Sequence, residues 1–211
     1  DVLGFDDGTR ALPFYKNIEL PDPSLKNPAL ESATKAFNPV LAATPTTNNL
    51  NKAFSFSGGN QKKMWGGSLG YIMGLNYSHT YNHYDEVRLG EYYRNITDTG
   101  YFVNRETSGT LSETNVLWSA LGGLSYKKGN NKVGLEVLRI QSGESKAGRV
   151  TQANLELNSS VIQRDNLEYY QREITNVSLS GKHALAKGRL AVDWKLSPTL
   201  VNVNEPDIRT T

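Results

Sequence analysis

Cysteine is absent from the 211 residues, which excludes a disulfide framework and cysteine-ligated zinc but fixes no compartment. No apolar run reaches the roughly 18 residues that a transmembrane helix needs. Charge of one sign is also missing: 23 Lys and Arg against 21 Asp and Glu leave no basic field for nucleic acid and no acidic tail. Fingerprints of catalysis are absent as well, with no G-x-S-x-G, Walker A or Rossmann motif, so neither enzyme activity nor a cofactor is expected.

Only 37% of the chain is hydrophobic, yet it holds 19 glycines and 11 tyrosines. A membrane stays open, because a spanning strand needs just ~9–11 residues and signals by alternation, not by a hydropathy peak. Such alternation is clearest at 65–81. There Trp65, Gly67, Leu69, Tyr71, Met73, Leu75 and Tyr77 form one row, and Gly66, Ser68, Gly70, Ile72, Gly74, Asn76 and Ser78 the other.

Residues 1–49 read as a long loop rich in Asp, Asn, Pro and Thr, with a short helix expected around 27–37. Six alternating segments follow, at about 51–59, 65–81, 115–127, 132–143, 173–185 and 189–203. In the fourth, Val133, Leu135 and Val137 share a face before Leu138 and Ile140 take over, a pattern that a bulge would produce. The Gly- or Asn-bearing stretches GNQKKM, KKGNNK and LAKGR give short turns expected at 61–64, 129–131 and 186–188, and long loops are expected at 82–114 and 144–172. Short and long connections alternate strictly. In an up-and-down meander this puts all short turns on one side, the layout of an outer-membrane barrel with short periplasmic turns and long extracellular loops.

A soluble β-sandwich, as a secreted binding or adhesion module, alternates in the same way. The length of the segments, the sorting of the loops and the aromatics flanking the apolar rows favour the barrel. A passive porin-like barrel remains open beside it.

Few side chains suggest chemistry. Of the three histidines, His79, His83 and His183, the first two are four apart and would suit metal on a helix, but they straddle a strand end without an H-E-x-x-H setting and read as loop-surface residues. Asp6 and Asp7 before Gly8 read as an Asp-Gly turn rather than a calcium loop. Asn95 with Thr97 and Asn158 with Ser160 match the glycosylation sequon at the level of chance. Asp193 and Lys195 share a face and read as a lumenal ion pair. Tyr92, Tyr93, Tyr169 and Tyr170, in the long connections, are the candidates for ligand contact, since tyrosine stacks on sugars and peptides; packing of loop on loop is the plainer role.

The stretches DVLGFDDGTRALP, AFNP, FSFSGGNQ, LGYIMGLNYSHTY, YYQREITNVSLSGKHAL and GRLAVDWKLSPTLVNVNEPDIR together resemble a TonB-dependent outer-membrane receptor over essentially the whole chain. The resemblance implies a 22-stranded barrel in the bacterial outer membrane, closed by an N-terminal plug. It implies import of a scarce nutrient, such as a siderophore, glycan or peptide, driven by TonB, and leaves room for a surface lipoprotein partner. Residues 1–50 would form the first outer loop and 51–211 the second to seventh strands. The chain opens at Asp1 without a leader and stops in mid-pattern, which reads as a segment of something longer.

Overall fold

The computed structural model describes residues 2–11, 22, 28–94, 100–154, 160–185 and 189–211. After one helix, α1 (Pro28–Ala36), the elements are all strands: β1 (Lys52–Met64), β2 (Gly67–Arg94), β3 (Tyr101–Lys128), β4 (Asn131–Asn154), β5 (Ser160–Leu185), β6 (Leu190–Leu196) and β7 (Thr199–Thr210). Every pairing is antiparallel, and β1 to β5 lie side by side in chain order. Both β6 and β7 pair with β5. The result is an all-β, up-and-down sheet that is open among the described residues, as the alternating segments led one to expect.

β6 and β7 amount to one strand with a gap. Leu196 stands opposite Leu179 and Thr199 opposite Asn176, so the register is the same on both sides. Between them Pro198 has no N–H to give the ladder, while its carbonyl still accepts from the Val177 N–H at 3.1 Å. The second irregularity of this edge, between Tyr169 and Gln171 of β5, faces the chain around Pro206 for the same reason.

The first short turn lies later than the sequence suggested. Residues 61–64 belong to β1, and the hairpin turns on Trp65 and Gly66, both in the left-handed region at φ 53° and 72°. Two positive φ values make the type I′ turn whose twist matches the flanking strands. Asn-Gly normally marks it, so a tryptophan there hides the signal and leaves Trp65 at the tip of the hairpin, outside the strand rows. Gly129, at φ 55°, and Asn130 join β3 to β4. The 186–188 turn lies outside the described residues.

The long connections are corrected more deeply. Residues 82–94 and 101–114 are not loop but the continued ladder of β2 and β3, with Ser112 opposite His83 and Arg105 opposite Glu91. Likewise 144–154 and 160–172 extend β4 and β5, with Tyr170 opposite Glu144. These stretches lack apolar alternation, which reports a one-sided apolar environment and not a strand as such. Their Tyr, Thr and Val content is the strand signal. Bulges sit between Tyr84 and Val87 and between Glu91 and Tyr92. None lies near Val137, since β4 keeps one register with both neighbours from Val133 to Ile140. Leu138 and Ile140 simply change face, where they meet Leu121 and Ile174 across the strands.

α1 takes Pro28 at its first position, where no N–H is missed, and closes a Glu31–Lys35 pair at 2.6 Å one turn apart. It buries no residue.

Candidate functional site

Residues opposite one another in an antiparallel ladder project to the same face, so the register defines two very different surfaces. On the first face, Leu69, Tyr126, Val133, Gly181 and Trp194 stand in one row across five strands. Tyr71, Leu124, Leu135, Leu179 and Leu196 form the next, and Met73, Gly122, Val137 and Val177 the third. The indole of Trp194 lies over Gly181 and leaves no room for a Cβ there. At the far side of this belt Phe54 stacks on Tyr77 with ring centroids 5.2 Å apart, beside Trp118. Apolar rows thus run between two aromatic borders, and among the described residues nothing covers them: Met73 is 47% exposed and Leu124 54%. Among the described residues only Val116 and Tyr169 are buried hydrophobics.

Beyond the belt, toward the open ends of the long hairpins, the same face carries the amino-terminal segment as a strap. Tyr77 Oη donates to the Val2 carbonyl at 2.8 Å, Trp118 Nε1 to Leu3 at 2.9 Å, and Gln141 Nε2 to Gly4 at 2.8 Å. Gly4, at φ 70°, lies against the Gly143 backbone so closely that a Cβ on either would clash. Asp7 Oδ1 accepts from the amide and hydroxyl of Thr9 at 3.0 and 2.6 Å, an Asx turn that holds its carboxyl below the ordinary range. Arg10 pairs with Asp6 at 2.9 Å, its guanidinium 4.1 Å from the centre of the Tyr169 ring. A second strap crosses nearby, where Arg149 donates to the Ala43 carbonyl at 3.3 Å and Arg209 to that of Val40 at 2.5 Å.

The candidate tyrosines part company in this setting. Tyr169 is 2% exposed beneath the strap, and burial pushes its phenol up. Tyr170 points to the opposite face, where the neighbouring Glu168 raises its pKa. Tyr92 is exposed near the β2–β3 tip, and Tyr93 stacks on Phe102 at 5.7 Å. The two pairs sit on strands separated by β3 and β4, so the sheet gathers no tyrosine cluster from them. Asp193 forms its ion pair across the ladder with Lys182, at 3.3 Å, while Lys195 stands opposite Ser180. His83 meets Ser112 Oγ and Asp85 at 2.7 Å each.

The second face carries charge at both ends, with an apolar patch of Ile72, Leu121, Leu138, Ile140 and Ile174 midway. Near the hairpin tips Lys146 joins Glu144 at 3.0 Å and Glu113 at 4.0 Å, with Glu168 directly across; these carboxylates raise the Lys146 pKa, the Glu144 hydrogen bond most. Near the short turns Lys127, Lys132 and Lys182 stand in one row on β3, β4 and β5, between Ser68 and Asp193. The row escapes a strand-by-strand reading. Its one sequence signal is the KKGNNK turn, because a two-residue hairpin there forces Lys127 opposite Lys132.

No family model matches the chain, and no curated protein matches it.

Proposed function

We propose that the chain is part of an outer-membrane β-barrel that imports a scarce nutrient with energy from TonB. The observation that carries the membrane part is the uncovered apolar belt. A soluble sandwich would lay a second sheet on it, and the sheet here has no second layer among the described residues. The belt from Leu69 to Tyr77 spans about 9 residues, close to the ~9–11 of a tilted spanning strand, and aromatic borders at both levels match the interfacial girdles of barrels. The strands are far longer than that belt, 28 residues in both β2 and β3. The surplus would stand outside the membrane with the strap against it. The opposite face, of glycine, serine and charged residues around a smaller apolar patch at Leu121, Leu138, Ile140 and Ile174, would line the lumen. The TonB-driven part is supported by the resemblance of DDGTRALP, the 69–81 strand and the NEPDIR end to receptors of that class.

The first test is location. Cells producing the full-length protein should show it in the outer-membrane fraction, extractable by detergent only, with the heat-modifiable migration of a barrel. Recovery from the soluble fraction without detergent overturns the membrane reading. Uptake of the nutrient that collapses when TonB is deleted then separates an active importer from a passive pore.

A further inference from the structure

We infer that the second face carries, at its short-turn end, a docking groove for an acidic, extended polypeptide segment. The inference rests on the lysine row and stands whether or not the sheet lies in a membrane. Lys127, Lys132 and Lys182 are directly opposite one another across two ladders. Neighbouring strands are about 4.8 Å apart, and like charges facing each other at that spacing destabilise a sheet. Along the row one carboxylate answers them: Asp193, at the β6 end, 3.3 Å from Lys182. Lys127 and Lys132 are exposed and face each other with no carboxylate opposite either.

The floor beneath them is shaped to receive something. Gly70, Ser125, Gly134 and Ser180 form the adjoining row; of these Gly70 and Ser125, with Gln61, Ser68 and the three lysines, line a groove of about 480 Å³. A Cβ at Gly134 would come within 3.2 Å of the Ser180 hydroxyl, and one at Gly70 within 3.1 Å of that of Ser125. The glycines therefore keep the groove open and the hydroxyls accessible.

The chemistry favours carboxylates over phosphate. Well-built phosphate sites add helix N-termini, backbone N–H nests or arginine forks to any lysine they use. Here the floor is ladder backbone already paired between strands, and the cations are all lysines, point charges that suit single carboxylate oxygens. Three ammonium groups spread over two strand spacings, about 10 Å, match an extended chain whose same-side residues recur every ~7 Å. Such a segment would cross the strands with acidic residues at alternate positions.

The test places a photoreactive amino acid at Asn130, on the rim of the groove, in the full-length protein in the cells that make it. Irradiation followed by peptide sequencing should give an adduct to a stretch with at least two Asp or Glu in six residues. Lys132→Glu should lower the yield at least fivefold. Lys128→Glu makes the same charge change on the other face, next to Gly66, and should leave the yield within twofold. The milder pair Lys127→Gln and Lys182→Gln, each expected to lower the yield about twofold, serves if Lys132→Glu fails to assemble. An adduct to a neutral or basic peptide, to lipid or to polyphosphate overturns the inference. So do absence of any adduct and equal loss in the Lys132 and Lys128 variants.

Discussion

Tyr77 and Trp118 stand opposite each other on β2 and β3, and both reach off the sheet to the same passing chain: Tyr77 Oη to the Val2 carbonyl and Trp118 Nε1 to that of Leu3. Two adjacent aromatics at the border of the belt thus also pin the strap. Phe5 completes the contact, its ring centroid 6.4 Å from that of Trp118.

Removing one donor should loosen the strap without unfolding the sheet. Trp118→Phe keeps an aromatic ring and loses the hydrogen bond, a net change of about 0.5–1.5 kcal/mol for the bond. Amide hydrogen exchange at residues 3–6 should quicken roughly tenfold, while β3 and β4 keep their protection. Unchanged exchange at the strap would mean that these bonds do not hold it.

The belt gives a prediction of sign. Met73→Arg should cost ~2–4 kcal/mol if the residue lies at a bilayer midplane. Gly74→Arg projects to the face away from the belt, where a Cβ meets only Leu121 at an ordinary 3.8 Å, and should cost far less. Unfolding of the full-length protein by urea in detergent micelles measures both. Equal tolerance of the two arginines would remove the face assignment.

These two outcomes bear on what could be read in advance. The face of Met73 was legible because the belt imposes a strict two-residue period on 69–77. The polar halves of β2 to β5 were not, because a strand with no one-sided apolar environment leaves no period; His83 opposite Ser112 is set by the ladder alone. The strap was illegible for another reason. Gln141 and Gly4 are 137 residues apart, and nothing local in either stretch announces the other. The lysine row lies between these cases, being derivable from turn chemistry once strands are paired, but only then.

Acid should release the second strap. Asp165 is buried, accepts from Arg149 Nε at 2.8 Å, and has its pKa lowered chiefly by that bond. Its folded value lies below the unfolded one, about 3.9, so the stabilisation is complete above pH ~4 and is lost as pH falls through the folded pKa. Exchange at residues 40–44 should therefore be slow at pH 6 and quicken below the ordinary carboxylate range. Asp165→Asn should make it fast at both. A strap whose protection in the variant still depends on pH would point to another titrating group.

An open six-strand sheet should not survive by itself. The outer ladders of β1 and of the β6–β7 strand are unpaired among the described residues, and each unsatisfied backbone group in lipid costs several kcal/mol; in water such edges and the bare belt invite association. The 211-residue chain alone, without detergent, should elute as aggregate from a sizing column. A monomer that melts cooperatively would favour a soluble module.

The final prediction concerns sidedness, and the sheet makes it sharp. Antiparallel neighbours reverse at every crossing, so the Trp65–Gly66 turn, the Gly129–Asn130 turn and the Leu185 and Leu190 ends of β5 and β6 share one end of the sheet, and the Arg94, Tyr101, Asn154 and Ser160 ends of β2 to β5 share the other. Barrels of the outer membrane keep the short side in the periplasm. Arg105, near the β2–β3 tip and paired with Glu91 at 3.3 Å, is half-exposed, so Arg105→Cys gives up only an exposed ion pair of ~0–1 kcal/mol. Asn130→Cys sits in a tight turn whose glycine supplies the positive φ, so it too should be tolerated. The chain has no native cysteine, so each label is unambiguous within it. A membrane-impermeant maleimide on intact cells should modify position 105 and spare position 130, and disruption of the outer membrane should expose both. Modification of 130 with protection of 105 would invert the sheet across the membrane. It would then put the strap and the exposed Tyr92 and Tyr93 in the periplasm, where no incoming nutrient could meet them first.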